Sequence, residues 1–309
     1  MASSDPRPDH LVWTKTSVDG RAAVFGVAGE GLPVVFVHGW ALAHRAYKRA
    51  LKRLVGLGCR VYAPALPGFG GSPDLPDQET SVEGYAHWLA AFLDAVGVDE
   101  PVFLVGHSFG GAVSIKFADE HPDRVRTLVL VNSVGGSAWD HGGAIRSMTE
   151  RPLWDWGLHL PRDILPLPQV RRVLPVIMED LVGNLVRNPR GMWRAAQMVR
   201  KLDLTGELES LRDRGLPVVV LWGDQDKVIP RASFDALCAA IGAEGEVISG
   251  RHSWLIADPD SFGEVMTNIV EVARMAREQE QLRGSKLRPQ TPREIRHLAG
   301  SAPPDEQPA

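Results

Sequence analysis

Continuous apolar runs of strand length alternate with stretches of helical periodicity through the first part of the chain. Leu11–Thr16 and Arg21–Val27, around the Val18-Asp19-Gly20 turn, read as an opening pair of strands. Leu32–Val37, Cys59–Pro64, Pro101–Val105 and Arg126–Val131 are further short runs. Runs without polar alternation are those of strands buried on both faces of a parallel sheet. Between them, Ala43–Leu57, Ser81–Val96 and Phe109–Glu120 carry the helical pattern, with Ser81 as an opening cap and Gly58 and Gly97 as stops. Strands alternating with helices predict an α/β fold built on a doubly wound, mostly parallel sheet with helices on both faces.

The rhythm breaks between Gly135 and Leu204. No buried-strand run occurs there, and the stretch holds four of the nine tryptophans. It reads as short helices joined by bends. The α/β pattern then resumes with strands at Leu216–Trp222 and Gly245–Ile248 and helices at Pro230–Ile241 and Pro259–Ala276. The expected organisation is a core of residues 1–134 and 205–277, with a helical cap of residues 135–204 inserted after the sixth strand. Residues 278–309, polar and rich in Pro, Gln and both signs of charge, are expected to form a largely disordered tail.

Composition narrows the function. The chain has 309 residues, is 44% hydrophobic and has a formal net charge of -4, so a sizeable core is available and no basic field for nucleic acid is present. The apolar runs fall far short of the ~20 residues of a membrane span, and the polar N-terminus shows no signal-peptide pattern. Two well-separated cysteines, Cys59 and Cys238, make no disulfide framework, so a cytoplasmic location is expected. Zinc spacing, a phosphate loop and a dinucleotide fingerprint are all absent from the sequence, so neither a cofactor nor a metal is expected.

The chemistry centres on Gly106-His107-Ser108-Phe109-Gly110-Gly111, which follows one predicted strand and opens a helix. A serine hydroxyl needs a general base and waiting oxyanion donors to act as a nucleophile. A sharp strand-to-helix turn flanked by small residues exposes it at a helix N-terminus. Ser108 is therefore the expected nucleophile. His38-Gly39-Trp40 follows the strand at Leu32–Val37, on the active-site edge of such a sheet. The amides of Trp40 and Phe109 are the expected oxyanion hole, and His38 is read as structural. Gly223-Asp224-Gln225-Asp226 follows another strand, with Asp226 preferred as the acid and Asp224 as a turn residue. His252, after the last strand, is the expected base. The order Ser, Asp, His is that of one hydrolase architecture.

With these motifs, together with Leu66-Pro-Gly-Phe-Gly-Gly-Ser72 and Asp258-Pro259, the chain from Leu11 to Arg277 resembles the α/β-hydrolase superfamily. The likeness is to its capped branch of small esterases, lipase-like enzymes, cofactor-free haloperoxidases and carbon–carbon bond hydrolases. The resemblance implies the same triad and oxyanion amides. The chain departs from the pattern at Ala65, where relatives often have Asp, and at Arg251, where they often have Gly. Serine rather than aspartate at position 108, and a cap without tyrosine, set aside dehalogenase and epoxide-hydrolase chemistry. The expected activity is hydrolysis of a carboxylic ester of a small apolar substrate. Carbon–carbon hydrolysis or perhydrolysis by the same triad remains an alternative, as does a small-molecule receptor with vestigial turnover. Trp139, Trp154, Trp156, Trp193 and Trp254 are candidates for an apolar substrate pocket. A monomer or homodimer is expected, with no nucleic-acid partner and no transmembrane segment.

Overall fold

A computed structural model describes residues 10–136, 170–199 and 202–286. Eight strands form one sheet: β1 (Val12–Val18), β2 (Arg21–Ala28), β3 (Leu32–Val37), β4 (Cys59–Pro64), β5 (Val102–His107), β6 (Val125–Val131), β7 (Val218–Gly223) and β8 (Glu246–Ile248). Their spatial order is β1-β2-β4-β3-β5-β6-β7-β8. The β1–β2 hairpin turns at Asp19 and Gly20, both with positive φ, and β2 meets β4 antiparallel. Every later pairing is parallel.

All residues of β3 and β5 are buried, as their unbroken apolar runs require. The helices are α1 (Lys48–Gly56), α2 (Val82–Ala95), α3 (Phe109–Glu120), α4 (Val170–Arg187), α5 (Pro189–Val199), α6 (Thr205–Asp213), α7 (Arg231–Ile241), α8 (Trp254–Ala257) and α9 (Pro259–Lys286). Helix α3 packs on α2 and α6, and α6 packs on α7, so these four cover the sheet as one layer. Helix α2 begins where the Ser81 hydroxyl accepts the Gly84 N–H at 3.1 Å, an ordinary N-cap.

Two compact units are present, Met1–Asn268 and Ile269–Ala309. The first holds the whole sheet. The second is described through Lys286, as the continuation of α9. That helix passes the end expected at Ala276, because Glu278 and Gln279 extend a helix readily even though they bury nothing to announce it. Among the described residues no helix is long and apolar enough to cross a membrane.

The order of strands decides where chemistry can happen. From β3 the chain passes to β4 on one side and β5 lies on the other, so β3 and β5 flank a switch point. Loops at the carboxyl ends of such strands diverge and leave a crevice. The parallel register sets Val37 of β3 beside Gly106 of β5, and thereby places the turns that follow them side by side.

Candidate active site

Ser108 stands between β5 and α3 with φ 54° and ψ −118°, a conformation an L-residue rarely adopts. Its neighbours leave room for nothing larger than glycine. A Cβ on Gly110 would lie 2.2 Å from the Val37 carbonyl oxygen, and one on Gly106 would lie 2.6 Å from the Gly111 Cα. Helix α3 thus approaches β3 and β5 closely enough to hold the strained turn.

The hydroxyl of Ser108 donates to His252 Nε2 at 3.0 Å, and His252 Nδ1–H donates to Asp226 Oδ2 at 2.8 Å. All three residues are buried, and the carboxylate side chain is fully so. Asp226 Oδ1 accepts the amides of Val228 and Ile229 at 2.7 and 2.9 Å, supplied by the bend after β7. Its Oδ2 also accepts Asn132 Nδ2–H. Burial alone would raise the carboxyl pKa, but the His252 imidazole and these hydrogen bonds outweigh it and hold Asp226 below the ordinary value. Asp224 has a different place: its Oδ1 accepts the Gly250 N–H at 2.9 Å and closes the turn between β7 and the His252 loop.

The loop after β3 lies against the serine. A Cβ on Gly39 would sit 3.2 Å from Ser108 Cβ. The Gly39 amide is engaged by the Tyr47 hydroxyl at 3.2 Å. Among the described residues no hydrogen bond takes up the Trp40 N–H, whose indole Nε1–H donates to the Met192 carbonyl at 2.9 Å. Phe109, whose amide is the other expected donor, opens α3 directly after Ser108. His38 is spent on structure: Nδ1–H meets its neighbour's carbonyl, Gly39 O, at 2.9 Å and Nε2 accepts the Leu66 N–H at 2.9 Å. Burial lowers its pKa to about 4, so it stays neutral.

Three connections go beyond the sequence reading. Asn132, at the carboxyl end of β6, has φ 45°, and its Oδ1 accepts the Trp254 indole N–H at 2.9 Å. A polar residue immediately after a buried strand, at the same edge as Ser108, is the signal that could have marked it. Tyr47 and His107 form the second connection: the hydroxyl donates to His107 Nδ1 at 2.9 Å, and His107 Nε2–H donates to the His252 carbonyl at 3.0 Å. Burial lowers the His107 pKa to about 3 and keeps the ring neutral, and the His252 carbonyl fixes its proton on Nε2. The third is the contact made by Asp180 and Asn184 of α4 with the loop after β3.

The pocket tryptophans fare unevenly. Trp139, Trp154 and Trp156 lie outside the described residues. Trp193, on α5, is 57% exposed. Trp254 is buried, with its ring against Phe262 and its N–H on Asn132, where it braces the residue that bonds Asp226. Among the described residues no group of three His, Cys, Asp or Glu side chains is placed to hold a metal ion.

An eight-stranded sheet of this order, with a strained serine turn after β5 and a histidine after β8, defines the α/β-hydrolase fold. The chain belongs to the alpha/beta hydrolase family, whose model matches residues 34–265. It is 28% identical over 250 residues to a putative non-heme haloperoxidase of Mycobacterium phage D29, covering 78% of this chain and 88% of that protein. It is 31% identical over 216 residues to the 2-hydroxy-6-oxo-2,4-heptadienoate hydrolase of Pseudomonas putida, covering 65% of this chain and 75% of that protein. A thermophilic esterase from Thermogutta terrifontis superposes with a TM-score of 0.66 at 26% identity, covering 86% of this chain and 99% of that one.

Proposed function

We propose that the chain is a serine hydrolase that cleaves carboxylic esters of small apolar substrates through an acyl-enzyme. The observation that carries this is the continuous hydrogen-bonded line from Ser108 Oγ, at the sheet's switch point, through His252 to a fully buried, ionised Asp226 after β7. Ser108 attacks the ester carbonyl as His252 Nε2 takes its proton. Asp226 stabilises the imidazolium, and the amides of Trp40 and Phe109 face the developing oxyanion. His252 then returns the proton to the leaving alcohol. In the second half a water molecule, deprotonated by His252, attacks the acyl carbon and releases the acid. Residues 135–204 act as a cap whose apolar side chains select an acyl or aryl group, and α4 and α5 are the described part of it.

The test is presteady-state hydrolysis of p-nitrophenyl esters of increasing acyl length. A burst of nitrophenolate, with the acyl mass recovered on Ser108, is the expected result. Ligand binding without a burst or turnover would favour a receptor and overturn the reading. A second reading, carbon–carbon bond hydrolysis, is favoured by the likeness to the Pseudomonas putida enzyme; preferential turnover of a vinylogous 1,5-diketone over every ester would select it.

The two aspartates of the bend after β7 should separate cleanly. Asp226→Asn is expected to lower kcat by about 10³–10⁴-fold, since the amide disturbs the imidazole tautomer and removes its counter-charge. Asp224→Asn is expected to stay within about tenfold of wild type, because that side chain only closes a turn. The reverse ranking in steady-state kinetics would move the acid to Asp224.

A further inference from the structure

The loop that carries the Trp40 amide is held from two sides. On the core side the Gly39 N–H donates to Tyr47. On the other side, among the described residues, four hydrogen bonds come from α4 and α5. Asn184 Nδ2–H donates to the Ala41 carbonyl at 3.1 Å, and its Oδ1 accepts the Gly70 N–H at 3.0 Å. Asp180, one helical turn earlier, accepts the Ala43 N–H at 3.0 Å. The Trp40 indole reaches the Met192 carbonyl on α5.

Ala41 is the residue that needs such support. Its φ is 67°, left-handed for a residue with a Cβ, and it follows Trp40 directly. A non-glycine residue there is strained and persists only where its surroundings over-determine it. Asn184 is 3% exposed, so neither end of its carboxamide has water as an easy substitute partner. The two backbone groups it satisfies belong to different core loops and present one acceptor and one donor. A carboxamide meets both at any pH, whereas a carboxyl of the same length supplies a donor only when protonated.

We propose that Asn184 is a positioning residue for the oxyanion hole: by fixing the Ala41 carbonyl and the Gly70 amide, this helix of the cap sets the turn that carries the Trp40 N–H. The inference rests on the proposed acylation of Ser108. Docking of α4 then contributes to the rate of the chemical step as well as to substrate choice. An oxyanion donor is effective only at the position the charged oxygen will occupy, and deleting one such donor costs about 10²–10³ in kcat. Displacing one should cost somewhat less.

The experiment compares wild type, Asn184→Ala, Asn184→Asp and, as a control on the 75% exposed outer face of α4, Val186→Ser. Each full-length protein is assayed with p-nitrophenyl butyrate and titrated with an aryl trifluoromethyl ketone and the matching methyl ketone. The fluorinated ketone is attacked by Ser108 Oγ: a C–O bond forms, the hydroxyl proton passes to His252 and the carbonyl oxygen becomes an oxyanion. The methyl ketone binds without that step and reports ground-state affinity.

For Asn184→Ala the expected result is kcat lowered by about 10–100-fold, with KM within about threefold of wild type. Affinity for the trifluoromethyl ketone should fall in parallel with kcat while that for the methyl ketone holds. Asn184→Asp, nearly isosteric, keeps the protein folded if the alanine variant does not. Its carboxyl can donate to Ala41 O only when protonated, so its kcat relative to wild type should fall as pH rises. Val186→Ser should match wild type. Variants with kcat within twofold of wild type, or a loss confined to KM with the ratio of the two ketone affinities preserved, would overturn the proposal. A wild-type chain that neither turns over nor is trapped by the fluorinated ketone would overturn the parent reading, and this one with it.

Discussion

Replacing Ser108 by alanine is expected to lower kcat for ester hydrolysis by about 10⁴–10⁶-fold while the protein stays folded. The hydroxyl's side-chain partner is His252 Nε2, so its loss leaves the packing of the elbow untouched. The close approach of α3 to β3 and β5 is made by glycines, and alanine at position 108 meets the same positive φ that serine already tolerates. Stability should therefore change by no more than about 1 kcal/mol. The residual rate would come from the Trp40 and Phe109 amides and from substrate binding, which persist without the nucleophile. Steady-state kinetics, with mass spectrometry for the acyl adduct, gives the answer. Near-normal turnover by the alanine variant would dispose of the triad.

Stability should fall steeply between pH 6.5 and pH 5, well above the range in which carboxylates titrate. His38, His44 and His107 are all buried and neutral, with pKa values lowered from 6.5 to about 4, 3 and 3, in each case chiefly by burial. A histidine whose pKa is depressed on folding contributes its full stability above the unfolded value and loses it as pH falls towards the folded value, because the unfolded chain takes up protons that the native chain refuses. At pH 5 each of the three should have lost about 2 kcal/mol, or about 6 together, from 1.36 kcal/mol per pH unit over 1.5 units. That is comparable with the whole stability of an ordinary domain. Asp226 acts in a separate, lower window. Its depressed pKa contributes above the unfolded carboxylate value and is lost only as pH falls through the folded one. A melting temperature lower by at least about 10 °C at pH 5.0 than at pH 7.5 is expected. His44 permits a selective check. Among the described residues neither of its ring nitrogens has a hydrogen-bond partner, and its ring lies 4.9 Å from that of Trp13. His44→Phe should remove about a third of the acid loss without lowering stability at neutral pH. Melting temperatures that are flat across this range would refute the account.

The strands were legible because a parallel sheet buries both faces: β3 is written almost wholly in apolar residues, β5 as an apolar run up to Val105, and β6 as one from Leu128 to Val131. Ser108 and Asp226 were legible because each follows such a run, and His252 because it follows the short last strand at the same edge, so the strand ends that mark them in the sequence also bring them together. What escaped the reading lacks that coupling. Tyr47 sits where helical periodicity continues, yet the backbone there is a 3₁₀ turn over His44–Tyr47 that aims the hydroxyl inward. Asp180 and Asn184 are polar positions on an amphipathic helix, indistinguishable in sequence from its solvated face. Only the tertiary contact with Ala41, Ala43 and Gly70 gives them a purpose. Helix α6, absent from the periodicity reading, buries only Leu208 and Leu211, too short a stripe to announce itself.

The line of hydrogen bonds that reaches Asp226 from Trp254 has a direction, and its far end sets it. An indole N–H can donate and never accept. Its bond to Asn132 Oδ1 therefore decides which way round the carboxamide sits and turns the Nδ2–H towards the carboxylate. Neither the indole nor the carboxamide gives up its proton in ordinary chemistry, so this branch is closed to proton transfer in both directions and the carboxylate meets a donor there at every pH. In the proposed mechanism the proton therefore moves only on the other branch, between Ser108 and His252.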